Sequence, residues 1–375
     1  MNRLDMRTDL KINPGVLRWA REESGYSVAE MASRAHVDQD TYMAWETTGT
    51  GLDLNDLVDL SRVCKRQIAF FFLPGVPPRT RKPTDFRNLE PALARLSDTT
   101  LLAMRRTVRF QDFLLQLRGA EYYRNKYSWL GGYRESFVRQ LDSEESINRM
   151  RNILGYPIEE QIAAADADGS YKRWRSSVEH NLGVHVFQFG MPKTEAQGFS
   201  YSDSLPYCVA INNAYPATSR AFTLFHELAH VVKSQSGLCK PDDTVPKRGE
   251  ITGEFECNSF AGALLVPAEE VAPARDKETI FKCATRLKVS SEVYLRRLLA
   301  LGLVSENEFF PLLDEIRKSV LPTRPHYAGS PISKSINSRG EALFTSTLDA
   351  VNQRKVPYSL ASDILGLKIN YLSGL

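Results

Sequence analysis

Residues 221–233 read AFTLFHELAHVVK, and how this run is read decides the rest of the chain. Phe222, Phe225, Leu228, Val231 and Val232 recur at helical spacing with no proline among them, so the stretch predicts a helix. His226 and His230 then stand one turn apart on one face, where both imidazoles reach a single cation, and Glu227 addresses a water beside it. That pattern suits zinc, because neutral imidazole nitrogens bind the ion tightly and the ion makes water acidic near neutral pH.

A catalytic zinc site needs a third protein ligand and an open position. An extension of the motif to HxxGxxH fails, since Lys233 and Ser236 stand where glycine and histidine are required. His36, His180, His185 and His326 are the remaining histidines, and none lies on a helix just downstream, so a carboxylate is favoured. The candidates are Asp242, Asp243, Glu250, Glu254 and Glu256. In EFECNSFAGALLVP (254–267), Glu254, Cys257, Asn258, Ala261, Leu264 and Leu265 share one helical face, whereas Glu256 points away from it. Glu254 is therefore the expected third ligand, with Asn258 one turn on, orienting a ligand histidine.

Upstream, PYCVAI (206–211) and VHVFQF (184–189) are the best strand candidates, rich in β-branched and aromatic residues and bounded by Gly, Pro and Asn. The 206–211 strand offers an edge for an extended substrate. Oxyanion or substrate contacts have four upstream candidates, Tyr201, Tyr207, His185 and Arg220.

Near the N-terminus, SVAEMASRAHVDQDTYMAWE (27–46) has the rhythm of a helix-turn-helix. Ser27 and Glu30 make a capping box, and Asp38 caps a second helix reaching Trp45. Between 79 and 126, eleven Lys/Arg against five acids give +6, and most of this segment reads as a long helix with a basic face. Helices are expected at about 217–233 and 251–266, and from 278 onward with a Pro-rich break at 322–331. The triplets Ala32/Ala35/Val37, Ala284/Leu287/Val289 and Ser362/Leu365/Leu367 share one spacing and hint at repeated helical hairpins.

Composition sets the outer bounds. A chain of 375 residues with 42% hydrophobic and 25% charged residues is globular, neither collagenous nor largely disordered. Net charge is +3, too small to argue alone for nucleic acid or membrane. Apolar runs fall short of a bilayer span, no secretion signal opens the sequence, and five dispersed cysteines do not form a disulfide framework. These features describe a cytoplasmic protein with free thiols.

The combination resembles the ImmA/IrrE family of metallopeptidases preceded by an Xre-type helix-turn-helix. The resemblance rests on INPGVLRWARE (12–22), Trp45-Glu46, FFFLPGVPP (70–78), Asp85–Arg87, YKRWRSSVEHNLGVHVFQF (171–189), RAFTLFHELAH (220–230), EFECNSFAGALLVP and VSSEVYLRRLLALGLVS (289–305), and continues through the final residues. It implies an α+β, mostly helical protein: a helix-turn-helix bundle at 1–77, a basic helical linker at 78–130, a zincin-like, gluzincin-type peptidase domain with a small β-sheet at 131–272, a helix-turn-helix-like segment at 273–325 and a helical extension at 326–375. It also implies a Zn2+ endopeptidase, holding its ion with His226, His230 and Glu254, that cleaves a repressor or other regulator after DNA damage, in stress or in control of a mobile element. In the expected chemistry Glu227 is the general base, then the acid.

The expected recognition helix departs from what DNA readers usually present. Gln39, Asp40, Thr41 and Tyr42 offer one amide among acids, and residues 1–75 carry −2, which opposes attraction to phosphate. A protein partner or a homodimer contact fits that face as well as DNA does. Seven Lys/Arg against three acids at 272–299 make a rival DNA surface. The alternative function is a transcriptional regulator or antitoxin whose peptidase-like domain senses a metal or ligand and cleaves little.

Overall fold

The computed structural model describes residues 10–81, 83, 96–234, 238–239, 253–319 and 329–374. They fall into two compact units, one of 10–81 with 96–108, the other of 83 with 109–374. The fold is α+β and mostly helical, as expected. All segments from 131 onward pack into the second unit.

The first unit contains α1 (Pro14–Glu23), α2 (Val28–Arg34), α3 (Gln39–Thr48) and α4 (Leu54–Cys64). The capping box at Ser27 and Glu30 forms, and Asp38 caps α3 through the Thr41 N–H. Leu17, Met31, Tyr42, Leu57 and Phe71 are fully buried and make its core. Tyr42 thus corrects one expectation. Its ring faces the core and its hydroxyl donates to Glu46 at 2.9 Å, so it cannot contact a partner, whereas Gln39 and Asp40 are exposed and Thr41 half-buried.

Helix α5 (Asp98–Arg118) crosses from the first unit into the second, and α6 (Ala120–Lys126) follows. The long basic helix expected over most of 79–126 is therefore broken at Gly119, and its residues 84–95 lie outside the described residues. Four helices lead to the sheet: α7 (Ser128–Phe137), α8 (Glu144–Leu154), α9 (Ile158–Ala163) and α10 (Ala167–Ser177). A π-helical turn, Val178–Leu182, extends α10.

The strands are β1 (His185–Phe189), β2 (Gly198–Tyr201), β3 (Cys208–Asn212) and the two-residue β4 (Leu238–Cys239), in the order β1-β3-β2-β4. β1 and β3 run parallel, and β2 is antiparallel to both its neighbours. Both anticipated strands form within two residues of their expected bounds, but β3 lies between β1 and β2. Its backbone is paired on both sides, so the open edge expected at 206–211 does not exist. The outer edge of β1 is closed as well, because Val186 donates its N–H to Glu179 at 3.2 Å and accepts from Arg175 Nε at 3.1 Å.

The remaining helices are α11 (Ala217–Val232), α12 (Gly253–Leu265), α13 (Lys277–Arg286), α14 (Ser291–Ala300), α15 (Glu306–Ser319), α16 (Pro331–Arg339), α17 (Glu341–Asn352), α18 (Tyr358–Leu365) and α19 (Ile369–Leu372). The C-terminal helices are tied to the sheet: the Asn337 carbonyl accepts from Gln188 Nε2 at 2.7 Å and from Arg175 Nη1 at 2.6 Å. The recurrent triplets have a local explanation. Each places one backbone bond at a helix end, Val37 to Ala32, Val289 to Ala284 and Leu367 to Ser362. The same bond closes α14 (Leu303 to Leu298) and α17 (Lys355 to Ala350), so the echo is a helix C-cap, not a repeat.

Candidate metal centre

Helices α11 and α12 pack side by side, each with its C-terminal carbonyls held by an arginine from elsewhere. Arg134 donates to the carbonyls of Val232 and Val231 at 2.6 and 2.8 Å, and Arg151 donates to Leu264 at 2.6 Å while Gln161 takes Leu265 at 3.0 Å. Cations and amides at these ends satisfy orphan carbonyls and oppose the negative pole of the helix dipole. Beneath α11, Phe225 meets Trp174 edge-on at 4.9 Å. Both helices are thereby fixed, and with them the side chains they present to each other.

His226, His230 and Glu254 converge at that contact, with one ligand atom from each lying within 4.8 Å of the others. The two Nε2 atoms are 3.1 Å apart, and Glu254 places one carboxylate oxygen 3.2 Å from His226 Nε2 and the other 3.3 Å from His230 Nε2. A tetrahedron with arms of about 2.05 Å, the usual zinc–nitrogen length, has edges of about 3.3 Å. The donor set therefore fits a small tetrahedral divalent cation. Asn258 Oδ1 accepts from His226 Nδ1 at 2.9 Å, which leaves the Nε2 lone pair facing the other two donors.

Glu227 is fully buried beside them, and its carboxyl touches the Ser200 hydroxyl of β2. Burial raises its pKa above the ordinary value, against the nearby His230 and His226. Burial also resists ionisation of Glu254, but its hydrogen bonds with His226 and His230 outweigh that and hold it well below the usual carboxylate range. For His230 burial acts downward, and contact with Cys257 and Glu254 carries it up to about 10. The cluster is one in which positive charge is strongly favoured between the donors.

Residues 179–299 match the IrrE N-terminal-like domain of the peptidase M78 family. This stretch is an IrrE N-terminal-like domain. No curated protein and no solved structure matches the chain. The IrrE N-terminal-like domain contains His226, Glu227, His230, Glu254 and Asn258, and its family is one of metallopeptidases; its three converging side chains are a group able to hold a metal ion. Asp242, Asp243 and Glu250 lie outside the described residues, and Glu256 pairs with Lys233 at the end of α11.

The four candidates for oxyanion or substrate contact are placed differently. Alternation along β2 puts Gly198 and Ser200 against α11 and turns Phe199 and Tyr201 to the opposite side of the sheet, where their rings pair at 5.8 Å; Tyr201 thus points away from the metal helix. Tyr207 stacks on Tyr127 at 4.3 Å. Arg220 is committed to Gln188 and Asp168 at 2.7 and 3.0 Å. His185 is buried against Tyr123, its Nε2 lying 3.2 Å from the Tyr123 hydroxyl, and burial, with the Arg118 charge added, lowers its pKa to about 3.

Sequence reasoning missed Gly198, Ser200 and Arg134. A Cβ on Gly198 would lie 2.7 Å from Thr223 Cγ2, 2.9 Å from the Ala210 carbonyl and 3.5 Å from Glu227 Cγ, so this glycine allows the sheet to approach the helix at Glu227. The lone signal for it is a glycine opening an aromatic tetrapeptide, GFSY.

Proposed function

We propose that the IrrE N-terminal-like domain is a zinc-dependent endopeptidase that cuts a specific regulatory, repressor-like protein in a stress, DNA-damage or mobile-element response. The observation that carries this reading is a buried carboxyl, Glu227, set beside three donors spaced for one tetrahedral ion. Bound there by His226, His230 and Glu254, zinc would supply a Lewis acid for the scissile carbonyl and lower the pKa of water. Glu227 does the proton work. It takes a proton from the water whose oxygen attacks the carbonyl carbon, and delivers it to the amine nitrogen as the C–N bond breaks. Ser200 steadies the Glu227 carboxyl, and the buried site favours a carboxyl able to hold that proton between the two steps.

The first unit then guides the enzyme to its substrate. Its exposed Gln39 and Asp40, on a helix opened by Asp38, suit a protein partner with basic groups better than phosphate.

The test compares new protein N-termini in host cells carrying the full chain or its Glu227→Gln variant, before and after DNA damage. A terminus that depends on Glu227 is expected and names the substrate. Identical termini in both, with zinc bound, would overturn the peptidase reading in favour of a metal-sensing regulator.

A further inference from the structure

The second unit contains a cavity of about 200 Å³ whose walls include none of the metal-cluster residues. Arg118, Tyr122 and Lys126 come to it from α5 and α6, Gly183 and His185 from the turn into β1, and Ser346 from α17. Three distant stretches of chain thus close around one space.

The lining is cationic. Its one acid, Glu179, is buried and already satisfied: it accepts from the backbone N–H groups of Val186, Glu341 and Ala342 at 3.2, 3.0 and 3.4 Å, with Arg175 3.9 Å away. Among the described residues Arg118 has a single loose, exposed acid neighbour, Asp349 at 4.0 Å. Lys126 is half-buried and pairs with no acid among the described residues. Its stem lies so close to Gly183 that a Cβ there would come within 2.4 Å of Lys126 Cγ; the glycine is what lets the lysine lie along the wall.

Hydrogen-bonding capacity is left over on the same walls. Ser346 Oγ accepts from Arg118 Nη2 at 3.1 Å, which leaves its own O–H to donate. His185 contributes to the wall beside it and turns Nε2 to Tyr123. At about 30 Å³ per water, the cavity equals six or seven waters, room for a phosphate group and a few attached atoms.

We infer that this cavity is a binding site for a small phosphate-bearing anion, held by Arg118 and Lys126 with a hydrogen bond from Ser346. Two cations and a leftover donor match a compact dianion. Because α17 and β1 both form walls, an occupant also fastens the C-terminal helices to the sheet.

Calorimetry on the full chain at fixed ionic strength tests this, using inorganic phosphate and glycerol phosphate as probes and the variants Lys126→Gln, Arg118→Gln and His226→Ala. One saturable site is expected, weakened at least about tenfold in Lys126→Gln and in Arg118→Gln and retained in His226→Ala. Tighter binding of glycerol phosphate would mark an ester as the occupant, and tighter binding of inorganic phosphate would mark the free ion. With histidine labelled by nitrogen-15, the His185 ring resonances should shift in step with the calorimetric curve. Lys126 has no acid partner to lose among the described residues, so its variant should melt like the wild type in the absence of phosphate. Absence of saturation by about 10 mM, full binding in Lys126→Gln, or loss of binding in His226→Ala would each overturn the inference, the last by placing phosphate at the metal ligands.

Discussion

Between α1 and α3, Arg21 donates to both oxygens of Glu46 at 2.7 and 3.2 Å and Tyr42 adds a third bond at 2.9 Å; between α11 and α12, two imidazole nitrogens and a carboxylate meet at 3.1, 3.2 and 3.3 Å. Both are polar clusters at a helix–helix contact, the first buried and the second buried at its imidazoles, with the Glu254 side chain 47% exposed. In the first, donors meet acceptors and opposite charges cancel, so the network is complete as it stands. In the second, lone pairs converge, and the arrangement is complete only with positive charge among them. The contrast separates polar burial that specifies a core from polar burial that awaits a ligand.

Breaking each cluster should therefore give unequal results. The largest effect belongs to Glu227→Gln, which should keep the metal and lower the rate of substrate cleavage by about 10²–10⁴-fold, as read by single-turnover assays on the identified substrate. Acid comes next. His185 is neutral in the fold, with its pKa lowered from 6.5 to about 3, so its contribution is fully present above pH 6.5 and is lost as pH falls from 6.5 towards 3. About 4 kcal/mol is at stake. Unfolding titrations across that window should show a fall that His185→Gln removes.

Glu46→Ala strands the Arg21 guanidinium, which is 13% exposed, and should destabilise the chain by about 3 kcal/mol. Glu254→Ala, measured in chelator, should cost less, since a half-exposed carboxylate then loses only its pairing with the His226 and His230 imidazoles. Equal losses in both variants would erase the distinction between the clusters. The smallest effect is expected for Gly198→Ala, about 1–2 kcal/mol from crowding against Thr223 and the Ala210 carbonyl, together with reduced cleavage because Glu227 is displaced.

The second cluster was legible because its geometry is written in helical spacing. His226 and His230 are four apart, and Glu254 and Asn258 repeat that interval on the facing helix; one period places all four. The caps were legible for the same reason, since Ser27 with Glu30 and Asp38 with Thr41 act within one turn. What escaped was long-range or too short to show a period. Arg134 holds α11 from 98 positions upstream. β2 has four residues, too few for alternation to declare its faces, and the side of the sheet on which Ser200 and Tyr201 fall followed only from the register. Tyr42 escaped because a place on an expected recognition helix predicts an outward side chain, whereas its hydroxyl completes the Arg21–Glu46 network.

The most direct test of the metal centre is the divalent metal content of the purified full chain, beside that of Glu254→Ala, by mass spectrometry after zinc loading and desalting. One tightly held zinc per chain, lost in Glu254→Ala while the fold persists, is the expected result. A wild-type chain that retains no metal, or a Glu254→Ala chain that retains as much, would contradict the account.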